Sequence, residues 1–357
     1  MRARVECLDL PLRHTFRISR SAVEVAENVL LTIEHEGLTA RGEAHPADYY
    51  GESVGGVRAG LEAFTRWLAE GGAPRFLEVA AAMGEAGEYL KAAEAVERFL
   101  ASLPPEARRH RSALAAIDIA LHDLAGQLAG RPVWALLGAE PSRAPATSFT
   151  IAIASLEEML GYVAEAERYP ILKIKLGTGR DAEVVRAIRG ATDKVLRLDA
   201  NAAWSAQEAI GVLRSLAACR IELVEQPVPP GDPEALREVG EAVEVPVFAD
   251  ESCVVPEDVE ALAGVVDGVN IKLSKCGGLA RAARMVARAR RLGLRVMVGC
   301  FIESSVAISA AAHLSPLADV ADLDGNLLIG REPFRGVGLD EGARPVLTSA
   351  PGLGVRG

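Results

Sequence analysis

No stretch of the 357-residue chain approaches the ~18 uninterrupted apolar residues of a membrane-spanning helix. No block of Lys and Arg stands out, and the formal net charge is −10. A nucleic-acid or anionic-membrane partner would want clustered positive charge, so neither is expected. Residues 1–13 alternate charged and apolar side chains; they lack the continuous apolar core of a signal peptide and read as a strand. Cysteine is scarce. Cys7, Cys219, Cys253, Cys276 and Cys300 are odd in number and widely scattered, which argues against a disulfide framework or a zinc cluster and suits a reducing cytoplasm. The six histidines show no metal-ligand spacing.

Half the residues are hydrophobic and 25% are charged, an ordinary globular composition on a chain long enough to bury a large core. The first 110 residues read as strands followed by helices. Asn28–His35 is β-rich, Gly51–Gly56 and Gly71–Pro74 are loop signals, and Ala59–Leu68 and Leu90–Leu100 have helical spacing. After Pro104-Pro105, residues 111–130 read as a long amphipathic helix. The pattern then changes to short apolar strands alternating with helices. Strands fall near 146–153, 171–176, 195–200, 221–225, 246–250, 268–273, 294–299 and 318–323, with helices such as 181–189 and 279–292 between them. Eight such strands suit a parallel (β/α)₈-type barrel. A doubly wound sheet would also alternate, but it calls for a Gly-rich phosphate loop after its first strand, and none is present.

Barrels of this type carry their active sites at the C-terminal ends of the strands. In Ile171-Leu172-Lys173-Ile174-Lys175, Leu172 and Ile174 share the face that packs on helices, so Lys173 and Lys175 point into the barrel. A single strand lysine is usually a solvated edge residue; two on an inward face need neutralising. Asp199 and Asn201 face inward on the next strand, Glu225 ends the one after, and Asp250 the fifth. The steps from Lys175 to Asp199 to Glu225 to Asp250 are 24, 26 and 25 residues, which places three carboxylates at equivalent positions on successive strands. One such residue would read as a helix cap. Three in phase would repel unless a hard cation joined them, and Mg²⁺ prefers a few carboxylates with water and ligand oxygens. On strand six, Val269, Ile271 and Leu273 face out, so Asn270 and Lys272 face in, and parity sends Lys275 to the loop before Gly277-Gly278. Strand eight ends Asp322-Leu323-Asp324.

A cation set between lysines suits removal of a proton beside a carboxylate. The dianionic product needs positive charge where charge develops, from Mg²⁺ and from Lys173. Lys175 and Lys272 lie on strands two and six, on opposite sides of the ring, so one can take a proton and the other return it with inversion.

Lys173-x-Lys175, Asp199-Ala-Asn201, Glu225-Gln-Pro, Asp250-Glu-Ser and Asn270-Ile-Lys272 together resemble the muconate-lactonizing branch of the enolase superfamily. The resemblance spans nearly the whole chain. It implies an α/β protein with a (β/α)₇β TIM-type barrel and an N-terminal α+β capping domain. The expected cap is residues 1–110, the barrel 111–325, and 326–357 a segment returning to the cap. It also implies one Mg²⁺ per chain on Asp199, Glu225 and Asp250. Within the branch, Asp322-Leu-Asp324 is similar to the motif with which dipeptide epimerases hold a substrate ammonium group. Gly299–Ser305 and Tyr50-Gly51-Glu52-Ser53 also resemble that family. The resemblance implies an epimerase that takes a small-molecule dipeptide, L-Ala-D/L-Glu first, from peptidoglycan recycling. Arg20 lies where Ala-Glu epimerases place an arginine against the glutamate side chain; with Arg13 and Arg17 nearby, a surface arginine is the alternative. The rival readings are an N-acylamino-acid racemase, an o-succinylbenzoate synthase or a muconate cycloisomerase of the same branch, and a non-catalytic barrel. The Asp322/Asp324 pair separates the first group, whose ligands carry no ammonium. The oligomeric state, a homo-oligomer included, is left open, as are the roles of Cys253, Cys276 and Cys300. Trp204 is expected to pack at the barrel rim, and His122-Asp123 to be structural.

Overall fold

In the computed structural model, which describes residues 1–85 and 88–357, the chain opens with a three-stranded antiparallel sheet, β1 (Arg2–Ile18), β2 (Ser21–His35) and β3 (Leu38–Ala44). Val29, Leu31 and Ile33 alternate onto one buried face. Glu36 and Gly37, both at positive φ (47° and 83°), make the two-residue turn between β2 and β3, as the twist of a tight hairpin demands. The tip between β1 and β2 carries Ser19 and Arg20.

Three helices follow: α1 (Val54–Trp67), α2 (Ala73–Glu85) and α3 (Tyr89–Ala101). The loop expected at Gly71–Pro74 is instead a kink. Gly71 takes φ 116°, and Pro74 falls in the first turn of α2, where its missing N–H has no role. Helix α4 (Arg111–Leu128) is not amphipathic: every residue from Ser112 to Gly126 is buried. It is covered by β3 and α2 on one side and by helix Leu279–Arg291 on another. Its small residues allow this; a Cβ on Gly42 of β3 would fall 1.8 Å from Ala116 O. Because α4 supplies side chains to the cap core as well as the barrel core, the junction expected at residue 110 precedes a helix common to both.

Eight parallel strands then run in sequence order: β4 (Phe149–Ile151), β5 (Ile171–Lys175), β6 (Val195–Asp199), β7 (Ile221–Glu225), β8 (Val247–Ala249), β9 (Gly268–Lys272), β10 (Arg295–Gly299) and β11 (Val320–Asp322). A parallel bridge between Thr147 and Ala321 joins the last strand to the first and closes the ring. Leu172, Ile174, Leu196, Leu198, Val269 and Ile271 face the helices, while Leu223, Phe248, Met297 and Val320 form a separate plug. At Gly268 the Phe248 ring occupies the space of a Cβ, 2.4 Å away. The strands therefore bring their polar residues to one mouth above a packed floor. The C-terminal segment ties back to both halves: Ile329 bridges Leu12 of β1, and the Leu353 N–H donates to Asp123 of α4 at 2.9 Å.

Candidate active site

Strand β5 brings Lys173 and Lys175 to the mouth, and both are buried. Lys175, Asp199 and Glu225 are register partners across β5, β6 and β7. Asp250 does not share their level. Glu225 pairs with Phe248, so Asp250, on the same face, stands two residues farther along. Even steps of about 25 residues hide this offset because the tilted strands of a barrel are staggered against one another.

The ammonium of Lys173 lies 2.6 Å from Asp322 Oδ2, 2.7 Å from Glu225 Oε2 and 3.0 Å from Asp199 Oδ2. Lys175 Nζ meets Asp199 Oδ2 at 2.7 Å, and Lys272 Nζ meets Asp250 Oδ2 at 2.8 Å. Asn270 donates to Glu225 Oε1 at 2.7 Å. Lys275 is not in the loop expected before Gly277-Gly278. The helical turn Leu273–Cys276 folds it back, fully buried, to donate to Asp250 Oδ1 (2.5 Å), Asp250 O (2.6 Å) and Asn270 O (2.9 Å). Period-two parity ends where the strand ends, so the sequence held no signal for it.

Across the mouth, Asp322 accepts from Ser148 Oγ (2.6 Å) as well as from Lys173, and Asp324 Oδ2 accepts the Thr150 N–H at 2.6 Å. Both oxygens of Asp322 are thus engaged, whereas among the described residues Asp324 uses only one. Arg20 reaches the mouth from the hairpin tip. Its guanidinium pairs with Glu251 (2.7 Å), donates to Asn201 O (2.9 Å) and lies 4.2 Å from the Tyr49 ring centroid. It borders the cavity, with part of its charge already matched by Glu251.

Burial works against every charge here, and the outcome depends on the partner. Lys173 is held well above the ordinary lysine value: burial would lower it, but Asp199, Asp322 and Glu225 outweigh that. Lys272 is likewise raised, with Asp250 and Glu225 overcoming burial. Asp199 is depressed because Lys173 and Lys175 outweigh its burial. Burial and the neighbouring Asp199 push Glu225 up to about 7. Burial and Asp322 push Asp324 up to about 6. Cys253 and Cys276 rise to about 12 and about 11 through burial, so these thiols are packing groups.

The donor set fits a hard divalent ion. Asp199, Glu225 and Asp250 offer carboxylate oxygens; among the described residues Asn201 Oδ1 and Glu251 Oε2 are buried without a hydrogen-bond donor, and Glu225 Oε2 meets only the Lys173 ammonium. Such acceptors are costly unless a cation or its water meets them. Asp199, Glu225 and Asp322 converge on the Lys173 ammonium, and among the described residues no three His, Cys, Asp or Glu side chains are already arranged to hold a metal ion. Holding an ion there would exchange some of the lysine contacts of Asp199, Glu225 and Asp250 for metal contacts.

A cavity of about 550 Å³ opens above these groups, a volume suited to a small ligand. Lys173, Lys175, Lys272, Asp250, Asp322 and Asp324 all border it; Phe16, Ile18, Tyr50 and Ile302 supply an apolar wall. Trp204 is buried and donates to Asp181 at 2.8 Å, and His122 bonds Tyr89 and Asp118 O; both are structural.

Residues 2–138 match the family described as mandelate racemase / muconate lactonizing enzyme, N-terminal domain, and residues 155–356 match the enolase C-terminal domain-like family. The L-Ala-D/L-amino acid epimerase of Maribacter sp. is 37% identical over 97% of this chain and 96% of its own length. The L-Ala-D/L-Glu epimerase of Bacteroides thetaiotaomicron is 38% identical over 97% of this chain and 85% of its own. The crystal structure of the dipeptide epimerase from Enterococcus faecalis V583, complexed with Mg and L-Leu-L-Tyr, superposes with a TM-score of 0.86 at 33% identity, covering 99% of this chain and 98% of that one.

Proposed function

The chain belongs to the mandelate racemase / muconate lactonizing enzyme family of the enolase superfamily, and from that premise we propose that it is a Mg²⁺-dependent dipeptide epimerase. It inverts the α-carbon of the C-terminal residue, and L-Ala-D/L-Glu is the first substrate to test. Relatives named for L-Ala-D/L-Glu and for L-Ala-D/L-amino acids support this. So does the neighbour complexed with Mg and a dipeptide.

The observation that carries the reading is the placement of two lysines. Lys175 on β5 and Lys272 on β9 sit on opposed strands of the closed ring, across one cavity. A substrate between them presents its α-carbon to an amine on each face. One lysine removes the α-proton and the other, as its ammonium, delivers a proton to the opposite face. Asp199, Glu225 and Asp250 would hold the Mg²⁺, which when bound polarises the substrate carboxylate as a Lewis acid. The Lys173 ammonium lies beside Asp199 and Glu225 and adds positive charge where the dianion develops. Asp324, with an oxygen to spare, and Asp322 receive the substrate's N-terminal ammonium. Arg20 reaches an acidic side chain with the donors that Glu251 and Asn201 leave free.

The test is α-proton exchange in D₂O with L-Ala-L-Glu, a hydrophobic dipeptide and the N-acetyl form of each. Free dipeptides should exchange and epimerise, and excess EDTA should stop both. N-acetylation should lower kcat/KM at least tenfold, since a charged hydrogen bond is worth about 1.5–3 kcal/mol. Faster turnover of an N-acetyl amino acid than of any dipeptide would establish the acylamino-acid racemase instead. Arg20→Ala should damage the acidic dipeptide more than the hydrophobic one; equal damage would remove Arg20 from substrate recognition.

A further inference from the structure

One of the two opposed lysines is backed by stacked rings. Lys272 Nζ lies 4.8 Å from the centroid of the Phe301 ring, within the range where an ammonium is attracted to an aromatic face. Against Phe301 lies a ring from the cap. The His45 imidazole is stacked on it, centroids 4.7 Å apart and planes within 13°.

His45 is itself fixed. Its Nδ1 is 2.8 Å from Asn28 Oδ1. The Asn28 amide is fully buried and spends its NH₂ on two acceptors, Glu43 Oε1 (2.7 Å) and Ile302 O (3.0 Å). Its oxygen must therefore accept, and His45 Nδ1 carries the proton. Glu43 in turn accepts from Ser304 N (2.9 Å), Ser304 Oγ (2.6 Å) and Ala307 N (3.2 Å) at the start of helix Ser305–Leu314. The backbone of Phe301 is held within its own loop, its N–H donating to Glu303 Oε2 at 3.0 Å. Two cap strands and the end of β10 thus set the plane of one phenyl ring. Lys175 has only a looser counterpart: Phe16 lies 5.9 Å from its Nζ, and among the described residues no second ring stacks behind it.

We infer that Phe301, braced by His45 from the cap, is the platform that positions the Lys272 head group for its half of the proton exchange. The inference rests on the assignment of Lys175 and Lys272 as the two bases. The ring suits the role because it is a neutral partner. Asp250, the other neighbour of the Lys272 ammonium, is also a proposed metal ligand, and an oxygen shared with a divalent ion holds an ammonium less firmly. The ring face stays available whatever Asp250 binds, and a stacked ring cannot swing aside.

The test reads α-proton exchange of each epimer separately in D₂O, with saturating dipeptide and Mg²⁺. Lys272→Ala first identifies the epimer whose exchange depends on Lys272. Phe301→Leu should slow that epimer about 5- to 30-fold, the range of a desolvated cation–π contact, and change the other less than about threefold by the same reasoning. Phe301→Tyr, which keeps the ring, should restore exchange. His45→Ala should slow the same epimer, and His45→Phe should not. Thermal unfolding checks that each variant is folded, and the His45 pair decides the matter if Phe301→Leu is not. Equal slowing of both epimers, or wild-type exchange in folded Phe301→Leu or His45→Ala, overturns the platform alone. If Lys272→Ala loses neither epimer, the two-base assignment falls and the platform with it.

Discussion

Lys275 holds Asp250 from below through an ion pair that water does not reach: its side chain is fully buried and Asp250 is 2% exposed. Asp250 accepts from Lys272 on one oxygen and Lys275 on the other. Removing Lys275 would leave part of that charge buried and unmatched, together with the carbonyls of Asp250 and Asn270. Lys275→Met keeps the volume and removes the charge, so it should destabilise the fold by about 3–5 kcal/mol, the usual cost of breaking a buried pair from one side. Denaturant unfolding reads this directly. A loss under about 0.5 kcal/mol is what a surface lysine would give, and would contradict the buried role. Arg20 is the contrasting case. Its side chain is 32% exposed, so its ion pair with Glu251 is partly screened by solvent and contributes to placing the hairpin tip more than to stability.

At the scale of elements, the mouth is assembled by strands whose inward residues follow from period two alone. Lys173, Lys175, Asp199, Asn270 and Lys272 were legible for that reason, each on a short strand whose other face is plainly apolar, and Glu225 was legible from its place at a strand end in step with them. The level of Asp250 was not, because stagger between strands is a property of the closed barrel. Nor was the seam between β3 and helix Ser305–Leu314, where Glu43 meets Ser304 across 261 residues of sequence. Helix α4 was misread as amphipathic because the neighbours that cover its second face come from both halves of the fold. The seam also titrates. Burial, with Glu43 facing it, pushes Glu303 up to about 7, against the hydrogen bonds from Ser274 and Phe301. A carboxyl raised in the folded state favours folding fully below its unfolded value near 4.5. That contribution fades as pH rises through about 7. Glu303→Gln removes the linkage, so relative to wild type it should gain of order 1–3 kcal/mol between pH 5 and pH 8. Chemical denaturation at the two pH values measures it; a difference that does not change with pH would mean Glu303 ionises normally in the folded protein.

At the scale of the whole molecule, the cap and the barrel meet where the chemistry is. The barrel supplies the lysines and carboxylates; the cap supplies Phe16, Ile18, Arg20, Tyr49 and Tyr50 to the same cavity. The division follows from the fold: strand ends carry the lysines and carboxylates, while a hairpin tip and a helix entry shape the cavity wall. Eight strands in sequence order make β5 and β9 diametrically opposed, and inversion is the outcome that opposed bases permit. The central claim is therefore a claim about two faces. The most direct measurement is α-proton exchange and epimerisation of both dipeptide epimers in D₂O by Lys175→Ala and Lys272→Ala, followed by NMR. Neither variant should epimerise, and each should retain exchange of one epimer only, the opposite one in the two variants. Epimerisation by either variant, or loss of the same epimer's exchange in both, would contradict a two-base site built on opposed strands.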